Sequence, residues 1–394
     1  MKQSAVRARI RQICCLGLPA ELLMASLLPA LRELVPSDSA AFFWVDARGE
    51  MSNMYAERML PPEAMALYFE RYYDGREASF RRAFLERASQ PDGVLATTPD
   101  ADMTHSAYYN EILRKLDAHH VLYGIVREQG AALGQLSLYR SQEAPAFTAR
   151  ERADLSSVMR YVAHGIAAGE PGPEGAITFQ DSDDEAMLVT DRSGRVRHAS
   201  EKGRRLLVLA TTSEINPASL KSTVNERATQ ALRTLCERLE AVDHGEETSP
   251  PTMTFDSRWG RHIVRAYWLH DDHEAPDALI GVRIQRQEPM ILRFVQAMGR
   301  LPLSPQQREI ALMIAQGRSN QEMAEGLGVS GNTVAYHIKQ LFLKLDVHDR
   351  AAQALRALAE RLEAVARGEE STPPAMTLDT RWGRHVLRAY WLDD

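Results

Sequence analysis

Residues 303–350 read LSPQQREIALMIAQGRSNQEMAEGLGVSGNTVAYHIKQLFLKLDVHDR, and this stretch decides what the chain is. Ser304-Pro305-Gln306-Gln307 is a helix start: a capping serine, proline at the first helical position and glutamine at the third. Ile310, Met313 and Ile314 give that helix an apolar face, and Gly317 is placed to end it. Ser319-Asn320-Gln321-Glu322 is a second start, with the serine–glutamate spacing of a capping box. It opens a short helix carrying Met323, Ala324 and Leu327, stopped by Gly328. Val329 packs the turn and Ser330 caps a third helix. There Val334, Ile338, Leu341 and Leu345 fall on one stripe. Asn332, Ala335, Tyr336, Lys339 and Gln340 fall on the opposite face. A short helix, a tight glycine turn and a longer helix make a helix-turn-helix. The third helix, roughly 22 Å long at about 1.5 Å per residue, fits a DNA major groove.

The wording resembles the LuxR-type (GerE-like) DNA-binding domain. The matching residues are Leu303-Ser304, Arg308-Glu309, Gly317, Ser319-Asn320, Glu322, Ala324, Leu327 to Ser330, Thr333-Val334, His337, Lys344-Leu345, Val347 and Arg350. The resemblance implies an all-α four-helix domain over 301–356, its last helix starting near Asp349, that binds double-stranded DNA as a homodimer. It implies that Ala335, Tyr336 and Lys339 face the bases, and that Thr333, His337 and Lys344 lie near the phosphates. Two residues depart from the pattern. The family often has Lys or Arg where this chain has Ala335, whose methyl can only touch a thymine methyl. Gly331 lies in the first turn of the third helix and costs up to about 1 kcal/mol relative to alanine.

Composition sets limits on the rest. The 394 residues are 44% hydrophobic and 25% charged, as in a globular protein, and too long for one domain. With 47 Lys and Arg against 53 Asp and Glu, the formal charge is −6, so nucleic acid must be met by a local surface. Between Arg300 and Arg350 the balance is six basic to five acidic residues. DNA affinity should therefore rest on a few placed cations and helix N-termini. Cys14, Cys15 and Cys236 form no disulfide or zinc framework, which suits a reducing cytoplasm. No apolar run is long enough for a membrane span. The basic N-terminus before Ile13–Leu18 mimics a signal peptide, but Pro19 and Glu21 cut the run, so an amphipathic helix is expected.

Residues 1–170 read as helices over about 3–16 and 19–35, then strands over 40–46 and about 50–57. A mostly helical, aromatic-rich stretch follows over 61–119. Strands over 120–127 and 133–139 flank a turn at Gln129-Gly130, and a helix runs from a capping box at Thr148 to about 168. This order resembles a GAF-type sensor domain. Glu170–Gly175 is a Pro/Gly linker. Residues 176–288 read as strands at 186–191 and 195–199, helices at about 200–210 and 226–243, and strands at 252–255, 262–269 and 279–285. The hairpin VTDRSGRVRHAS resembles the opening of a PAS domain. A helical connector over 289–300 leads to the helix-turn-helix. The expected class is thus multidomain: α+β GAF-like and PAS-like sensor domains followed by the helical DNA-binding domain.

Other clusters carry less. His270-Asp-Asp-His-Glu274 reads as a solvated loop and Asp181–Glu185 as an acidic domain edge. His119 and His120 should point to opposite faces of a strand, too far apart to share a metal. The aromatics at Phe42–Trp44, Tyr68-Phe69, Tyr72-Tyr73, Tyr108-Tyr109 and Tyr123 read as core or dimer face. The sharper alternative is a small-molecule pocket between sheet and helices. No nucleophile–base pair, nucleotide loop or metal motif is present, so neither an enzyme nor a cofactor is expected.

Residues 231–271 recur as 354–394, with 29 of 41 positions identical. The second copy, a partial duplicate over 357–394, is either a duplication without a role or a competitor for the PAS-like sheet, through strands that invite pairing. The expected function is sequence-specific transcription regulation, with signals sensed by the N-terminal domains. The alternative is a sensor or adaptor acting through protein contacts without DNA.

Overall fold

The computed structural model describes residues 2–73, 75, 79–167, 177–222, 224–246, 251–269, 278–299, 301, 303–315, 318–344, 375–380 and 383–388. Two compact units divide the chain, Met1–Gln296 and Ala297–Asp394.

The first unit begins with α1 (Lys2–Cys14) and α2 (Ala20–Leu34). The amphipathic expectation holds: Val6, Ile10 and Ile13 are buried where α1 packs on α2 and on α7 (Ala149–Ala167). Five strands form an antiparallel sheet: β1 (Ser39–Val45), β2 (Met51–Ala56), β3 (Val94–Thr97), β4 (His120–Glu128) and β5 (Ala131–Arg140). Between β2 and β3 lie α3 (Pro62–Leu67), continued as a π turn over Tyr68–Tyr72, and α4 (Phe80–Ala88). Between β3 and β4 lie α5 (Ala101–His105) and α6 (Ala107–Glu111). Strand order is β2-β1-β5-β4-β3. The β4–β5 turn places Gln129 and Gly130 at φ of 48° and 84°, the two left-handed positions of a tight hairpin.

Central strand β5 is covered on both faces. Leu136 and Leu138 are fully buried on the side of α7, where Leu136 pairs with Gly124 and a Cβ on Gly124 would lie 3.0 Å from Met159. Burial of each such leucine stabilises the sheet by roughly 2 kcal/mol. The alternate residues Gln135 and Ser137 are also buried, on the face toward α3–α6.

A second antiparallel sheet follows, from β6 (Phe179–Asp191), β7 (Val196–Ala199), β8 (Thr252–Ser257), β9 (Gly260–Trp268) and β10 (Leu279–Pro289). α8 (Glu201–Thr211), α9 (Pro217–Ser222) and α10 (Val224–Asp243) are inserted between β7 and β8. Its order, β7-β6-β10-β9-β8, matches the first sheet strand for strand. The two sheets meet through Trp259, which is buried, donates from Nε1 to the Thr212 carbonyl at 3.0 Å, and packs on Tyr55 at 5.5 Å between ring centres. Asn53 Oδ1, from β2, accepts from the Ile215 amide at 2.8 Å. α11 (Met290–Gly299) takes the place of the expected connector.

Several expectations need correction. Val94–Thr97 is a strand within the stretch read as helical, a short edge piece paired only with β4. Asp181–Glu185 lies near the start of β6, the first strand of the second sheet, with Asp181, Asp183 and Glu185 exposed and Asp184 meeting Arg205, Arg286 and Lys202, each at 3.3 Å. Burial alone would raise the Asp184 carboxyl, but those cations hold it below its ordinary value. The His119 and His120 rings do not diverge but meet edge to face at 4.7 Å. His119 precedes the strand, so strand alternation does not apply to it. Glu170–Gly175 and His270–Glu274 lie outside the described residues.

In the second unit, α12 (Pro305–Ala315), α13 (Asn320–Leu327) and α14 (Gly331–Lys344) follow the predicted starts. Gly317 and the expected fourth helix lie outside the described residues. β11 (Ala375–Thr380) and β12 (Gly383–Arg388) form an antiparallel hairpin with the register of its sequence twin. Ala375 faces Arg388 as Thr252 faces Arg265, and Thr380 faces Gly383 as Ser257 faces Gly260.

Candidate nucleic-acid interface

Local hydrogen bonds fix the three helices. Ser304 and Gln307 cap α12 reciprocally: Ser304 Oγ accepts from the Gln307 amide at 3.2 Å, and Gln307 Oε1 from the Ser304 amide at 2.9 Å. At α13, Ser319 Oγ accepts from the Glu322 amide and Glu322 Oε2 from the Ser319 amide, completing the predicted box. These bonds from Ser319, with help from Arg318, hold the Glu322 carboxyl below its ordinary pKa. Gly328 ends α13 at φ 64°. Ser330 Oγ accepts from the Thr333 amide at 3.2 Å and opens α14.

One apolar cluster clamps the helices together. Ile310 from α12, Met323 from α13 and Val334 from α14 are each at most 1% exposed, and Met313, Leu327, Val329 and Ile338 pack around them. Leu341 extends the buried stripe of α14, while Leu345 lies outside the described residues. The opposite face is left to solvent. Asn332, Ala335, Tyr336 and Lys339 are exposed, Tyr336 by 59%, and Thr333, His337 and Gln340 are half-buried. His337 sets its ring against Tyr336 at 5.5 Å, and its Nδ1 is buried without a hydrogen-bond partner. Lys344 ends α14, with its side chain outside the described atoms. The helix thus has a fixed apolar side and a free polar side, with one exposed lysine near the middle.

The expected pocket residues also converge, though the sequence did not single out all of them. Phe43, Tyr68, Tyr108 and Tyr123 border a cavity in the first unit, together with Arg87, Gln135, Ser137 and Tyr139, which sequence inspection passed over. Phe69 and Tyr72 are buried and also line the cavity, while Phe42, Tyr73 and Tyr109 are buried, as the core reading expects. No group of three or more metal-ligating side chains occurs among the described residues. No described helix is long and apolar enough to cross a membrane.

Three helices with a glycine turn and an exposed third-helix face define a helix-turn-helix module. Residues 301–357, which include these three helices, match the model of bacterial regulatory proteins of the luxR family, a LuxR-type helix-turn-helix. The transcriptional regulatory protein MctR of Rhizobium johnstonii is 37% identical over 82 residues, which are 21% of this chain and 33% of MctR. YhjB of Escherichia coli K12, whose name is that of an HTH-type transcriptional regulator, is 42% identical over 53 residues, 14% of this chain and 26% of YhjB. The chain therefore spans a quarter to a third of the length of these relatives. Among solved structures, the GAF domain of the cyanobacteriochrome TePixJ aligns at 13% identity and a TM-score of 0.30, covering 39% of this chain and 92% of that one.

Proposed function

We propose that the chain is a sequence-specific, DNA-binding transcriptional regulator whose first unit senses a signal. The observation that carries this is the division of α14 into a clamped apolar side and an open polar side, within a segment that matches the luxR family. α14 enters the major groove with Asn332, Ala335, Tyr336, Lys339 and Gln340 toward the base edges. Thr333, His337 and Lys344 lie toward the phosphates. Lys339 can donate to guanine O6 or N7, Asn332 and Gln340 can pair with adenine, and Ala335 can accept a thymine methyl. The protein acts as a homodimer on a two-fold site, with reading helices roughly 34 Å apart. The domains run 1–170, 176–288 and 301–356, the first GAF-like and the second PAS-like.

Selection of bound sites from random duplexes tests this. A two-fold symmetric motif with half-sites about one helical turn apart is expected. Failure to enrich any sequence would overturn the regulator reading and favour an adaptor that works through protein contacts.

A further inference from the structure

The cavity on the first sheet measures about 510 Å³ and lies between the sheet and the α3–α6 segment. Its walls are largely apolar, with Phe43, Met54, Phe69 and Phe80 among them. Its floor is not. On β5, Gln135, Ser137 and Tyr139 alternate with buried Leu136 and Leu138, and register sets Tyr123 of β4 directly opposite Ser137. An interior strand covered on both faces would normally place apolar side chains at such positions. Here Gln135 is 3% exposed and Ser137 is fully buried, so this polar floor lies inside the fold.

Arg87 of α4 reaches over that floor. It donates from Nη1 to Gln135 Oε1 at 2.9 Å, and its guanidinium lies 3.8 Å from the centre of the Tyr123 ring. Gln135 Nε2 passes the chain on to Ser137 Oγ at 3.2 Å. The guanidinium is thus held in place by neutral groups. Among the described residues no carboxylate makes a salt bridge to it, whereas Arg58, also on the cavity wall, is paired with Asp117. Burial raises the Tyr108 and Tyr139 phenols, so both remain protonated donors at neutral pH. Asp100, at the rim, is engaged as the cap of α5, accepting from the Met103 amide at 2.8 Å, and Glu86 is exposed.

A fixed cation that meets no carboxylate among the described residues, beside phenolic donors and under an apolar roof, is the arrangement that receives an anionic head on an apolar body. A cationic ligand would meet Arg87 directly. We propose that this cavity binds a small organic carboxylate with an aromatic body, its carboxylate paired with Arg87 and its ring held among Phe43, Phe69 and Phe80. The proposal rests on the sensing role assigned above and names the class of signal.

The test is direct binding to the full chain, without DNA, by calorimetry and thermal shift. The probes are indole-3-acetate and 4-hydroxyphenylacetate, with indole-3-acetamide and tryptamine as neutral and cationic isosteres. Saturable binding of at least one carboxylate is expected, roughly 10–100-fold tighter than its amide, with tryptamine weaker still. Arg87→Gln should remove that preference and Arg87→Lys should keep part of it. The proposal fails if no carboxylate binds at millimolar concentration, if amide or amine binds as well, or if the preference survives in Arg87→Gln. Should Arg87→Gln not fold, the isostere comparison on the unaltered protein decides by itself. Because DNA is absent, a negative result removes the carboxylate and leaves DNA binding to its own test.

Discussion

Ser319 and Glu322 cap each other across the first turn of α13, the serine hydroxyl accepting from the glutamate amide at 3.3 Å and the carboxylate from the serine amide at 2.7 Å. This exchange fixes where α13 starts, and so where the turn and α14 fall. Ser319→Ala should cost about 1 kcal/mol, a typical loss for a removed cap. Hydrogen exchange on the full chain should show protection of the 320–327 amides falling about fivefold. Unchanged protection would mean that packing, not the cap, holds the helix end.

The two glycines flanking the turn should respond in opposite directions. Gly328 has φ 64° and nothing within 4 Å of an added Cβ, so alanine there meets only the backbone penalty, roughly 1–2 kcal/mol. Gly331 also faces open space, without a left-handed backbone, at the first residue of α14. Gly331→Ala should stabilise the module by up to about 1 kcal/mol. Denaturant midpoints that shift the same way for both variants would contradict this account of the turn.

His262 is expected to make the first unit sensitive to acid. It is fully buried in β9 opposite Arg286, and neither ring nitrogen has a well-formed hydrogen bond, although the Gly260 backbone interacts weakly. Burial, reinforced by Arg286 and opposed by Asp184 and Asp256, lowers its pKa from 6.5 to about 4. Between those values the unfolded chain binds the proton and the folded chain does not, so stability rises with pH. The full contribution is present above pH 6.5, and about 3 kcal/mol is lost on descending to pH 4. Urea unfolding across this window should show a shallower pH dependence for His262→Gln than for wild type. Parallel curves would exclude the imidazole as the cause.

What could be read from the sequence depended on how local its cause was. Ser304, Ser319, Gly328 and Ser330 act within four residues of themselves, and the helix starts they predict are where the structure has them. The five strands of each sheet were mostly visible as apolar alternation, but Val94–Thr97 is strand only because β4 lies beside it. The partners of Asp184, Arg205 and Arg286, were not legible from the sequence because they come from α8 and β10, which only folding brings together. Gln135 and Ser137 carried no sequence signal for the same reason. The alternation Gln-Leu-Ser-Leu-Tyr reads as one wet and one dry face, whereas both are inside, the polar one lining a cavity. Arg87 offered no sequence pattern, since its role comes from contact with β4 and β5.

Lys339 is an exposed cation on the polar side of α14, and its loss separates base reading from phosphate contact. Lys339→Ala should weaken binding to the selected duplex by about 1–3 kcal/mol and leave binding to random duplex nearly unchanged. Equal losses on both would move Lys339 to the backbone.

The most direct measurement is the affinity of the full chain for its selected duplex as a function of salt. With the Lys344 of each protomer neutralising a phosphate, affinity should fall at least roughly 10-fold between 50 and 200 mM monovalent salt, along a negative log–log slope. Absence of binding to any duplex at the lowest salt, or affinity that does not change with salt, would contradict the assignment of α14 as a DNA-reading helix.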